Sequence, residues 1–244
     1  MKAFIGWVVF IMLWSIISYL ELVSMYVLPS PIRVLNAFLG LIREDRLFGN
    51  IWFSLKINFS GYVISILLAI PVGFVLGLFK SMRSLFSQIV DSMRFVPITA
   101  LSGVFIMAFG LTIWTKINFL AFGIWVYLVP VVVQRIDEVS LISLQMIRTL
   151  GATKLQTFWY VQFPFVMSRL IDDIRILVGI SWTYIIVAEL KNVQGGLGSL
   201  IFLGERQSNP AVVYSVLITI IVIGVLQDQF FKLLDRLLFK HKYV

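Results

Sequence analysis

Apolar residues run along this chain in long blocks, broken by short polar punctuation. A helix needs about 20 predominantly apolar residues to cross the hydrocarbon core of a bilayer. Six stretches meet or approach that length: Ala3–Leu20, Ile57–Phe79, Phe95–Thr115, Ile117–Gln134, Ile174–Leu190 and Ala211–Phe231. Only Lys116 separates the third from the fourth, which predicts a tight hairpin there. The first stretch follows Lys2 but ends in bulky residues with no small-x-small cleavage site, so it reads as a membrane anchor and not a signal peptide. After it, "LPSP" opens a segment in which Val34, Leu35, Phe38, Leu41 and Ile42 repeat at helical spacing. That pattern predicts a helix lying in the membrane interface.

The pattern changes between Arg135 and Asp173. The stretch "RIDEVSLISLQMIRTLGA" gathers Gln145, Arg148 and Thr149 within about 100° of one helix face. Leu144, Met146, Ile147 and Leu150 cover most of the remainder. Gly151 follows, where a helix C-terminus favours a left-handed residue. A second helical stretch, "TKLQTFWYVQF", is expected to stop at Pro164, and Asp172 and Asp173 to sit near the N-terminus of the next helix, where its dipole favours them. Such a helix–Gly–helix device either lies on the lipid headgroups or packs on a partner.

Composition agrees with a chain solvated largely by lipid: of 244 residues, 60% are hydrophobic and 13% charged, against about 25% charged in a soluble domain. The net charge of +8 belongs to the loops, not to an aromatic-interleaved basic patch, so nucleic acid is not an expected partner. With the N-terminus inside, the cytoplasmic segments hold thirteen of the twenty Lys and Arg residues and the outer segments seven. The positive-inside rule then places both termini in the cytoplasm.

Chemistry is scarce. Cysteine is absent and the single His241 lies in a basic tail, which excludes thiolate and histidine metal sites and a histidine triad. No phosphate-binding Gly-x-x-x-x-Gly-Lys-Ser/Thr occurs, and "GGLGSL" does not sit between a strand and a helix. No catalytic residue and no cofactor is expected in this chain. Pro71, Pro97 and Pro130, with Gly73, Gly77, Gly103, Gly110 and Gly123, interrupt the spans; they fit either close helix packing or a wet path through the membrane.

The Arg135–Asp173 insert resembles the cytoplasmic loop of binding-protein-dependent ABC importer permeases. That family's loop has Glu-Ala-Ala, three residues, Gly, nine residues, Ile, one residue, then Leu-Pro. Here Gln145-Met146-Ile147 stand in the triplet, Gly151 keeps its spacing, and Val161, Phe163 and Pro164 end the pattern. Further stretches resemble the nitrate, sulfonate, taurine and bicarbonate branch: "LPSPIRVLNAF", "FVPITALSGVFIMAFG" and "RILVGISWTYIIVAEL…GGLGSLI", with Arg175, Trp182, Glu189, Gly196 and Gly198 in register. The resemblance runs from about Leu28 to "LLDRLLF".

It implies an all-α polytopic fold of the MetI-like type in one permease domain. Residues 1–56 would form the anchor helix and outer interfacial segment, 57–231 the core with its coupling loop 135–173, and 232–244 a basic cytoplasmic tail. The resemblance makes the loop a coupling helix seated on a separate ATPase, with Gln145, Arg148, Thr149, Gly151, Ala152, Lys154, Val161, Phe163 and Pro164 at the contact. ATP and Mg would belong to two such ATPase subunits. A second permease copy, in a homodimer in preference to a heterodimer, and an extracytoplasmic solute-binding protein complete the expected complex in the inner membrane. Pro97, Trp182, Thr183, Tyr184 and Glu189 are the candidates for a translocation path or gate. Glu189 either shapes the outer gate or marks a water-exposed helix end paired with Lys191. An ATP-independent channel or a membrane assembly factor is the competing function class; a channel would not need the Gly151–Pro164 device.

Overall fold

The apolar blocks become helices throughout the computed structural model, which describes residues 2–44, 46–191 and 195–239. Helix α1 is Lys2–Tyr19. Helix α2, Pro31–Arg43, begins at Ser30, whose side chain accepts the Arg33 N–H while Pro31 takes the first helical position. Both residues suit a helix start. Val34 and Leu41 are the buried residues of α2, two of the five apolar positions expected to form its face.

Helix α3, Leu47–Leu78, starts ten residues before the expected Ile57 and carries Pro71 without a break. Helix α4 is Lys80–Met93. A short 3-10 turn, Ile98–Leu101, leads into α5, Ser102–Phe109. The expected third span, Phe95–Thr115, shortens to the Ile98–Phe109 segment, which meets α4 at 88°. The turn after it is not at Lys116. It falls at Gly110, whose φ of +68° suits a residue without Cβ. Helix α6, Ile113–Asp137, takes Lys116 into its first turn, where the side chain is fully buried.

Helix α7 is Leu141–Thr149 and α8 is Lys154–Thr157. A π-helical stretch, Phe158–Gln162, joins α8 to α9, Phe163–Lys191. Pro164 thus does not end a helix. It lacks an N–H and clashes with the carbonyl four residues back in a regular helix, and the wider π turn just before it lets the rod pass. Asp172 and Asp173 consequently sit well inside α9, not at its start, and pair with arginines instead. Helices α10, Leu197–Arg206, and α11, Pro210–Leu238, complete the described chain.

Among the described residues, α3, α6 and α11 are long and apolar enough to cross a membrane, and the bent α4–α5 pair makes a fourth span if it is one. Helix α1 is a shorter apolar helix.

The chain forms two compact units. One comprises Met1–Lys56 and Ile185–Gly224. Within it Trp14 Nε1 donates to the Pro29 carbonyl at 3.0 Å, tying α1 to the start of α2. Gly204 of α10 lies against Val212 and Val213 of α11. The other comprises Ile57–Tyr184 and Val225–Val244. There Gly61, Gly73 and Gly77 let α3 approach Leu120, Val132 and Ile136 of α6 so closely that a Cβ would overlap those side chains. Small residues at helix contacts do this in lipid, where water supplies no drive for association. Tyr62 and Ser181 share a 2.7 Å hydrogen bond between α3 and α9, and Ser181 donates to Asn58.

Candidate functional site

Two places gather the chemistry. The first is the arm formed by α7, α8 and the π stretch. Ser140 caps α7 by accepting the Ser143 N–H. At its other end Gly151 N–H bonds the Arg148 carbonyl at 2.9 Å and Ala152 N–H bonds the Ile147 carbonyl at 3.2 Å. This is the paired closure of a Schellman turn, and Gly151 supplies its left-handed residue at φ +84°. Two residues later Thr153 and Gln156 form a reciprocal capping box that starts α8. Local sequence therefore fixes both sides of the corner.

No residue of α7 is buried. Leu141, Ile142, Met146, Leu150, Leu155, Trp159 and Tyr160 all stand exposed, Leu150 at 82%. The return of the arm is anchored: Phe158 and Phe163 pack on Phe74 of α3 with ring centroids 5.2 and 5.8 Å away.

The second place is a buried cap. Three consecutive N–H groups at the start of α10 find side-chain acceptors. Gly196 N–H donates to Asn50 Oδ1 at 2.7 Å, Leu197 N–H to Ser54 Oγ at 2.9 Å, and Gly198 N–H to Glu189 Oε2 at 2.7 Å. Ser54 in turn donates to Glu189 Oε1 at 2.7 Å. Glu189 is fully buried. An acid in the last turn of α9 faces the unfavourable end of that helix dipole, and the N-terminus of α10 offsets it. Gly196, at φ +102°, leaves the space the carboxylate fills.

A family model described as the binding-protein-dependent transport system inner membrane component matches residues 61–240. The chain belongs to that family. It is the permease subunit of an ABC importer, a multi-pass protein of the inner membrane. The permease is similar to SsuC of Bacillus subtilis (strain 168), assigned to aliphatic sulfonates, with 28% identity over 98% of the permease and 87% of SsuC. It is 24% identical to the taurine transport system permease protein TauC of Escherichia coli (strain K12), over 90% of the permease and 82% of TauC. These relatives fall in the branch that the sequence resembled. Its fold matches that of the MetNI methionine ABC transporter in an inward-facing conformation, with a TM-score of 0.69 at 20% identity, covering 77% of the permease and 93% of the solved chain.

The permease brings Gln145, Arg148, Thr149, Gly151 and Lys154 together on the arm, all exposed, with Ala152 half-buried among them. Val161 and Phe163 are half-buried on the return, and Pro164 is exposed. Pro97 is exposed and opens the 3-10 turn. Trp182 is buried and donates from Nε1 to Gln227 of α11 at 2.8 Å. Thr183 is exposed, with its hydroxyl returned to the Ile180 carbonyl. Tyr184 packs over Gly123. The water-exposed reading of Glu189 is overturned by its burial, and the Lys191 side chain lies outside the described residues.

Sequence reasoning missed Asn50 and Ser54, which lie about 140 positions from their α10 partners and carry no motif. It also missed the Arg135–Asp173 ion pair, whose bonds are 2.8 Å each. For the cap, the one available signal was an acid followed closely by paired glycines.

Proposed function

We propose that the α7–α8 arm is the coupling element of the permease and seats on a cytoplasmic ATPase subunit. The single observation that carries this is that α7 buries none of its residues yet presents Leu141, Ile142 and Met146, with Leu150 at its C-cap, to the outside. Exposed apolar patches of that kind mark interaction sites. Gln145, Arg148, Thr149 and Lys154 orient the contact, and Gly151 admits a close approach at the corner. The acid usual at position 145 in the family is absent, so docking here relies on shape and on Arg148 and Lys154.

The complex comprises two permease copies, as a homodimer, two ATPases that bind ATP and Mg, and a solute-binding protein on the outer face. The permease crosses the membrane six times: α1 and α9 supply the spans beyond α3, the α4–α5 pair, α6 and α11. Both termini and the arm are cytoplasmic, supported by the distribution of Lys and Arg. Glu189 then lies at the outer side and holds α10 as part of the outer gate.

Reconstitution in vesicles with the cognate ATPase and binding protein tests the arm. Gly151→Leu adds bulk at the corner and strains a left-handed residue. The variant is expected to insert and fold, but to lose ATPase binding or solute-stimulated hydrolysis and uptake. Wild-type transport by Gly151→Leu would remove the arm from the coupling role.

A further inference from the structure

The arm leaves α6 and returns through α9, and an ion pair closes its base. Arg135, near the end of α6, donates Nε to Asp173 Oδ2 and one terminal nitrogen to Oδ1, both at 2.8 Å, across 38 positions of sequence. Its other terminal nitrogen donates to Glu138 at 2.7 Å. Neighbouring Asp137 accepts both terminal nitrogens of Arg83 from α4, at 2.7 and 2.6 Å. Arg175 reaches Asp228 of α11 at 2.9 Å, where Lys232 also binds at 2.6 Å. Ion pairs thus run in one belt through α4, α6, α9 and α11.

Exposed pairs contribute little to stability. The Arg135–Asp173 pair is the most sheltered of the belt, with side chains 24% and 13% exposed. Its two parallel bonds fix orientation as well as distance. That matters because the regular helix is interrupted on both sides of the arm. Residues 138–140 are not helical, and Phe158–Gln162 is π-helical, an irregular turn of the kind often found at functional sites. A push on the arm would be absorbed at those interruptions unless something bypassed them.

We propose that Arg135 and Asp173 are positioning residues of the transport cycle. Their clasp makes α6 and α9 move as one body with the arm, so that displacement of the arm reaches the membrane helices. This rests on the reading of the arm as the coupling element.

The natural chain has no cysteine, so in the permease a double variant, Arg135→Cys with Asp173→Cys, carries just two thiols, and the purified variant is bridged by a short bifunctional thiol reagent before the complex is assembled. The whole complex in vesicles is assayed for bound ATPase and for solute taken up per ATP hydrolysed. Asp173→Asn and the double variant are expected to keep the ATPase and hydrolyse ATP, while solute per ATP falls at least about fivefold, the lower range of coupling between sites. Bridging the double variant restores at least half of the ratio. An unchanged ratio in both variants, loss of ATPase binding in both, or failure of bridging to restore the ratio each overturns the clasp. Failure of the underlying reading looks different: a thiol cross-linker on Ser143→Cys, an exposed position of α7 outside the assigned contact residues, then fails to reach the ATPase even with the clasp intact.

Discussion

Glu189 of α9 and Gly198 of α10 meet through a 2.7 Å bond from the glycine N–H to the buried carboxylate. The other carboxylate oxygen accepts the Ser54 hydroxyl at 2.7 Å. One acid therefore ties α3, α9 and the start of α10. Removing it with Glu189→Ala strands two buried donors, which costs about 1–3 kcal/mol for each group left unsatisfied. Thermal unfolding of the detergent-solubilised protein should show a clear loss of stability. Glu189→Gln keeps an acceptor for one donor, so the complex is expected to assemble while uptake falls. Wild-type uptake by Glu189→Gln would leave the acid with a purely structural role.

Gly196 meets the same carboxylate from the opposite side. Its φ of +102° is strained for any L side chain, and a Cβ would overlap Glu189. Gly196→Ala is expected to destabilise by about 1–3 kcal/mol from backbone strain alone, with further loss from the overlap. Equal thermal midpoints for Gly196→Ala and wild type would show that the cap tolerates displacement.

Gly77 tests the packing of α3 on α6. A Cβ there would come within 2.5 Å of Ile136 Cδ1 and 3.2 Å of its Cβ. Gly77→Ala should overpack the contact at a cost of about 1–3 kcal/mol, and Ile136→Val should relieve part of it. Non-additivity in a double-mutant cycle measured by thermal unfolding is the expected result.

Orientation is checked at Thr153, an exposed position on the arm. Thr153→Cys places a single thiol in a chain that has none of its own. An impermeant thiol reagent added outside intact cells should leave it unlabelled, while permeabilised cells should label it readily. Labelling in sealed cells would invert the topology.

Arg148 and Gln145 separate charge from shape on the arm. Arg148→Glu reverses the charge of the polar edge without touching the apolar face, and should abolish ATPase binding or solute-stimulated hydrolysis. Gln145→Ala should be milder, because the acidic side chain usual there is already missing. Co-purification with the ATPase ranks the two directly, and an equal loss would show that the charge of Arg148 is not what orients the contact.

The sequence by itself determined the all-helical membrane class, the arm and its corner. Hydrocarbon thickness sets the length of an apolar block, and capping needs only residues a few positions apart: Ser140 with Ser143, Thr153 with Gln156, and Gly151 closing on Ile147 and Arg148. Span boundaries were less legible. Lys116 looks like a break because a charge is costly in lipid, yet it is buried in protein at the start of α6, while Gly110 makes the turn. Pro164 looks like a helix stop because its effect is judged against a regular ladder, and a π stretch changes that ladder. Tertiary structure alone decided that Glu189 caps α10 with Asn50 and Ser54, and that Arg135 clasps Asp173. Partners more than 35 positions apart, as Asn50 and Ser54 are from α10 and Arg135 is from Asp173, leave no periodicity in the chain, and their pairing appears only when packing brings the helices together and the buried N–H groups and charges must find partners.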